Sequence, residues 1–147
     1  MRAHGNLIRQ MPVSAEDERE ICGVLLRYAT GIDTRDWPLF RSCFSPDLEA
    51  DYGTFGTWHG PREIVEYMEG AHRHLGATMH RITNIVIESR NGEVIAHSYV
   101  DAILTEATQG GHTHRAAGFY DDTLIRTSDG WKISRRRFTM VKAGLDD

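Results

Sequence analysis

From Thr78 onward this chain reads as strand after strand, and every helix-like segment lies before that point. No other feature restricts the fold as much. Residues 81–89 and 93–106 flank Arg90-Asn91-Gly92, and Asn-Gly favours the tight turn whose twist matches two antiparallel strands. Gly110-Gly111 breaks to a strand over residues 112–126. Ser128-Asp129-Gly130 then turns into a last strand over residues 131–141. Upstream, Ser14-Ala15-Glu16-Asp17 has the form of a helix start, with Ser14 as N-cap and an acidic first turn. Ile21, Val24, Leu25, Tyr28, Ala29 and Ile32 follow with a helical period. Asp36-Trp37-Pro38 opens a short second helix to about Cys43, stopped by Ser45-Pro46-Asp47. Residues 48–55 read as a strand bent at Gly53 and Gly56, and Gly60-Pro61 begins a third helix with Ile64, Val65, Met68 and Ala71 as its buried stripe.

Helices early and strands late predict an α+β protein: three N-terminal helices packed on one face of a curved, mainly antiparallel sheet. Such a sheet, closed off by helices, forms a cone-shaped roll with a cavity inside, a usual place for small ligands. The 147 residues fit a single domain over residues 13–147, preceded by a tail or short arm over residues 1–12.

The composition excludes several functions. A net charge of −4 gives no global attraction to nucleic acid or to an anionic membrane surface. The one dense basic run, Arg135-Arg136-Arg137, alternates across a strand and reads as a solvated face or a subunit contact. No segment approaches the ~18 apolar residues of a membrane span. Cys22 and Cys43 lack metal-type or disulfide-framework spacing. The expectation is a soluble, cytoplasmic protein with neither nucleic-acid nor membrane partners.

One residue breaks the pattern of the first helix. Ile21, Leu25 and Ala29 follow at four-residue spacing, and the next member of the row is Asp33. Residues four apart share a helix face, so the carboxylate continues a row that points inward. A buried carboxylate is costly without a partner. His80, in Met79-His80-Arg81, is the natural candidate, since an Asp that orients a His makes a general base. Each residue also has a plainer reading. Asp33 could bond the amides of Thr34 to Asp36 in an Asx turn, and His80 could be a core histidine bonded to a carbonyl.

The stretch from Tyr28 through Asp33 to Asp36-Trp37, then Phe40 to Phe44-Ser45-Pro46-Asp47, Asp51-Tyr52 and Gly60-Pro61, resembles the SnoaL-like group of the nuclear-transport-factor-2-like superfamily. The likeness continues through Met79-His80, Ser98-Tyr99-Val100 and Asp129-Gly130-Trp131-Lys132, so it covers most of the chain. Within the group the chain is similar to scytalone dehydratase, the bile-acid dehydratases and hexachlorocyclohexane dehydrochlorinase. The Asp–His pair of those enzymes falls on Asp33 and His80, a pocket tyrosine of scytalone dehydratase on Tyr52, and a catalytic tyrosine of the bile-acid dehydratases on Tyr28, where the dehydrochlorinase has a lysine. The resemblance implies a lyase or isomerase in which Asp33 orients, His80 moves a proton, and Tyr28 or Tyr52 donates or polarises. It departs from the pattern at Leu104, where scytalone dehydratase has a second histidine, and at Arg115 and Ala117, where it has Ser and Asn. Substrate identity therefore does not carry over.

Trp37, Tyr99, Asp101, Arg115 and Phe119 complete the set of expected substrate-binding residues, although the register at Asp101 leaves both pocket and solvent open. Phe40, Phe44 and Trp131 read as core or cavity wall. His112 and His114 share a strand face but lack further ligands, so they read as strand-end polar residues and no metal is expected. His72 and His74 fit the dipole at the end of the third helix. No cofactor is implied. The expected reaction is loss of water from a small apolar cyclic or aromatic hydroxylated compound. The alternatives are an isomerase or polyketide cyclase using the same pair, and a non-catalytic binding or assembly subunit like the β-subunit of ring-hydroxylating dioxygenases. The outer face of the sheet is expected to pair with a copy of the chain, as a homodimer or homotrimer.

Overall fold

Ser14 caps the first helix in both directions. In a computed structural model, which describes residues 13–146, the Ser14 hydroxyl accepts from the Asp17 amide at 3.0 Å and the Asp17 carboxylate accepts from the Ser14 amide at 3.3 Å. This capping box satisfies amides that no helical carbonyl reaches. Helix α1 (Ala15–Thr34) ends at Arg35, whose left-handed backbone (φ 58°) stops it. Asp36 then caps α2 (Trp37–Ser42) by accepting from the Leu39 amide at 3.0 Å. The two helices touch backbone to side: a Cβ at Gly31 would lie 2.7 Å from the Phe40 amide nitrogen, so only glycine fits there.

Strand β1 (Phe44–Asp51) begins earlier than the sequence predicts, and Ser45-Pro46-Asp47 lies inside it instead of ending α2. The pairing of β1 slips between Phe44 and Glu49, and a proline without an N–H is tolerated at such an irregularity. The predicted strand over 48–55 stops at Asp51. A 3-10 turn (Gly53–Phe55) leads into a short extra strand, β2 (Thr57–His59). Helix α3 (Gly60–His72) buries Ile64, Met68 and His72, whereas Ala71 is exposed at the edge of the expected stripe.

Strands β3 (Leu75–Arg90), β4 (Glu93–Glu106), β5 (Thr113–Thr127) and β6 (Gly130–Leu145) form the meander. The sheet order is β2-β1-β6-β5-β4-β3, antiparallel except where β1 lies parallel to β6. Asn91 and Gly92 both have positive φ, as the tight turn between β3 and β4 requires. The α+β prediction of three helices on a curved, mainly antiparallel sheet is borne out.

Side chains alternate across the sheet. On β4, Ala96, Ser98, Val100 and Ala102 face the helices, and His97, Tyr99 and Asp101 face away. Register shifts bend the sheet: in β3 between Thr83 and Val86, where Asn84 is left-handed, and in β6 opposite Thr123/Leu124 and Ala117/Gly118. Tyr28, Phe40 and Phe44 pack with ring centroids 5.1 to 6.1 Å apart and tie α1 and α2 to β1. Among the described residues no helix is long and apolar enough to cross a membrane. The predicted tail, residues 1–12, lies outside the described residues.

Candidate active site

The last turn of α1 delivers Asp33 to the inner side of β3. Asp33 Oδ1 lies 2.6 Å from His80 Nδ1 and accepts from the Thr78 hydroxyl at 2.9 Å. Oδ2 accepts from the His80 backbone amide at 2.7 Å. Arg35 holds the same corner together, donating to Thr78 Oγ1 at 2.9 Å and to the Gly76 carbonyl at 2.8 Å. Partial burial raises the Asp33 pKa, but hydrogen bonds from His80 and Thr78 outweigh it, and the net shift is downward. The carboxylate is therefore ionised and can only accept, so His80 donates through Nδ1–H. In the neutral ring Nε2 is then the unprotonated nitrogen, oriented as a proton acceptor.

Across the cavity stands a cluster of tyrosines. The Tyr28 hydroxyl lies 3.0 Å from that of Tyr52 and 3.1 Å from that of Tyr120. Two bonds among three hydroxyls consume two of the three hydrogens, which leaves one O–H free to donate into the cavity these residues line. Burial pushes the pKa of all three well above the ordinary tyrosine value, so they remain hydroxyls. Beneath them Arg136 lies over the rings of Tyr28 and Tyr120, at 4.2 and 3.8 Å from the centroids. Its guanidinium bonds Asp122 through two contacts of 2.7 Å, and both side chains are fully buried. Burial alone would lower the Arg136 pKa. The Asp122 carboxylate, with the neighbouring tyrosines, holds it above the ordinary value, so the cation persists.

Between these two poles is a cavity of about 160 Å³. Ile32, Met68, Val100, Ala102, Ala116 and Phe138 supply much of its apolar wall, and small residues on β4 and β5 leave the space open. A cavity of this size is comparable to one that takes a single six-membered ring.

Four of the expected site residues, Asp33, His80, Tyr28 and Tyr52, gather here: the last three line the cavity and Asp33 anchors His80. The expected substrate-binding residues do not. Tyr99, Asp101, Arg115 and Phe119 occupy odd-numbered positions that point to the outer face. There Tyr99 packs on Phe119 with centroids 5.1 Å apart, and Asp101 pairs with Arg81 and Arg115. Trp37 lies outside the cavity wall as well, set edge-on to Phe40 and His72. His114 bonds Glu106 at 3.0 Å, and the same carboxylate accepts from the His112 amide.

Two cavity-lining residues, Tyr120 and His72, and the buried Arg136 behind the tyrosines were not expected at the site. Tyr120 gave no distinct signal, and Arg136 reads in sequence, with its neighbours, as part of a solvated face or subunit contact, whereas it is buried. His72 did carry a signal: it follows Ile64 and Met68 at four-residue spacing, the same clue that singles out Asp33.

A helix-capped, curved sheet around a small apolar cavity, with a carboxylate-held histidine at one end and tyrosine hydroxyls at the other, defines a protein of the cone-fold class with a candidate site inside the cone. The chain belongs to the SnoaL-like family of the nuclear-transport-factor-2-like superfamily, whose SnoaL-like domain matches residues 13–137. Scytalone dehydratase of Colletotrichum orbiculare is 29% identical over 139 residues, covering 83% of this chain and 72% of that protein. A dehydratase of Paecilomyces divaricatus, AgnL8, is 27% identical over 126 residues, covering 75% and 71%. In fold, a hexachlorocyclohexane dehydrochlorinase, LinA type 2, superposes with a TM-score of 0.75 at 19% identity, covering 91% of this chain and 94% of that one.

Proposed function

We propose that this protein is a lyase that needs no cofactor and removes water from a small cyclic or aromatic hydroxylated compound. The observation that carries the reading is the 2.6 Å contact between Asp33 and His80 at the wall of an apolar cavity. His80 Nε2 takes a proton from a carbon beside the one that bears the hydroxyl. The C–H electron pair becomes the new C=C bond and the C–O bond breaks. The departing oxygen takes a proton from the free O–H of the Tyr28–Tyr52–Tyr120 cluster and leaves as water. Asp33 stabilises the imidazolium that forms, and return of its proton to the tyrosines restores the starting state. The low-dielectric wall strengthens each of these interactions. The dehydratase names of two relatives favour loss of water over isomerisation through the same base.

The test is turnover of a panel of hydroxylated alicyclic ketones, followed by the absorbance of the conjugated product. His80→Ala should lower kcat by on the order of 10²–10⁴-fold, and Asp33→Asn should act in the same direction. Turnover that survives His80→Ala would overturn the mechanism, and a panel with no substrate in it would favour a binding role.

A further inference from the structure

His72 ends α3 at the cavity wall and is 8% exposed, with its ring 6.0 Å from that of His80. Its Nδ1 lies 2.8 Å from the Met68 carbonyl oxygen. A carbonyl oxygen can only accept, so Nδ1 carries the ring hydrogen and Nε2 of the neutral ring is a bare lone pair. That nitrogen is buried and bonds no other group among the described residues. Trp37 packs edge-on at 6.2 Å and limits how the ring can turn. Burial, assisted by the nearby Arg35 cation, also holds His72 below the ordinary histidine value, so the ring stays neutral. An acceptor held in this way, buried and unpaired in a cavity wall, is costly unless something in the cavity donates to it.

We infer that His72 Nε2 accepts a hydrogen bond from a hydroxyl group of the bound compound, which makes His72 a specificity-determining residue. The inference rests on the small-molecule cavity of the proposed function but not on its chemistry. A lone-pair acceptor favours O–H and rejects ethers, halides and bare carbonyls at that end. The tyrosine cluster, with its spare O–H, suits an oxygen that accepts at the other end. The ligand class is therefore a single-ring compound with an accepting oxygen at one end and a donating hydroxyl at the other.

The probes are 4-hydroxyacetophenone and 4-fluoroacetophenone, which differ in the donor and are close in size. Their affinities are measured by calorimetry on the wild type, His72→Phe and His72→Gln. The preference for the hydroxyl compound, taken as the ratio of the two Kd values, should fall by about tenfold in His72→Phe. His72→Gln, which keeps an accepting oxygen, should restore part of it. In the wild type, the ¹⁵N resonance of His72 Nε2 should move upfield on saturation with the hydroxyl compound and stay in place with the fluoro compound, a readout that needs no variant to fold. A ratio unchanged by His72→Phe, an unmoved resonance, or no binding of either probe at millimolar concentration would overturn the inference. Neither probe can lose water, so failure of the lyase mechanism leaves this result intact.

Discussion

Arg136 is enclosed on every side, and its energetics are those of a buried ion pair. Its two contacts with Asp122, at 2.7 Å each, compensate for the removal of both charges from water, and the rings of Tyr28 and Tyr120 cover the flat of the guanidinium. Arg136→Met should destabilise the protein by about 3–5 kcal/mol, because it strands the Asp122 carboxylate without a partner. Adding Asp122→Leu should recover most of that loss, and urea-denaturation midpoints of the two variants will show it. The sequence could not place this residue. Trp131 and Ile133 point inward, so plain alternation sends Arg135 and Arg137 to the core. The one-residue slip in the β5–β6 pairing inverts the parity and buries Arg136 instead. Asp33 was legible because a helix has no such slip: four residues on from Ala29 is the same face whatever the neighbours do. His72 was equally legible by that rule, but the dipole at a helix end offered a sufficient account of a histidine there.

Among the elements, β5 and β6 depend on one glycine. A Cβ at Gly118 would sit 2.1 Å from the Thr139 carbonyl oxygen and 2.7 Å from the Phe138 ring, at the point where β6 slips in register. Gly118→Ala must push two backbones apart and should cost about 1–3 kcal/mol, read from the thermal midpoint. It should also displace the Phe138 ring that lines the cavity, which a weaker affinity for small-ring probes would report. Element boundaries were readable where local chemistry fixes them. The capping box set the start of α1, and the Asn-Gly turn set both ends of the β3–β4 loop. Strand β1 was misplaced because Pro46 reads as a stop, and only long-range pairing with β6 makes it tolerable. The start of β3 at Leu75 was missed because Gly76 and Ala77 carry no strand preference of their own.

For the molecule as a whole, acid should be the sensitive direction. Hydrogen bonds from Arg115 and then Arg81 hold the Asp101 pKa at about 2, and Asp33 is also depressed. A carboxyl group whose folded pKa is depressed adds stability above its unfolded value and loses that contribution as pH falls through the folded value. His72, whose folded pKa is depressed by burial, withdraws stability first as pH falls below the unfolded histidine value of about 6.5, so urea midpoints should ease downward from there and decline more steeply from about pH 4 towards pH 2. Asp101→Asn should make the decline shallower. Its effect will be modest, because the pair is partly open to solvent. The corner where α1 meets β3 has a further consequence. Strand β3 ends the sheet, and an end strand offers bare N–H and C=O groups to any extended segment that drifts past. Between Gly76 and His80 that template is already occupied: Arg35 takes the Gly76 carbonyl and Asp33 takes the His80 amide. The carboxylate that anchors the His80 ring therefore also blunts the molecule against strand addition, and a chain that loses it exposes a sticky margin as well as an unanchored histidine.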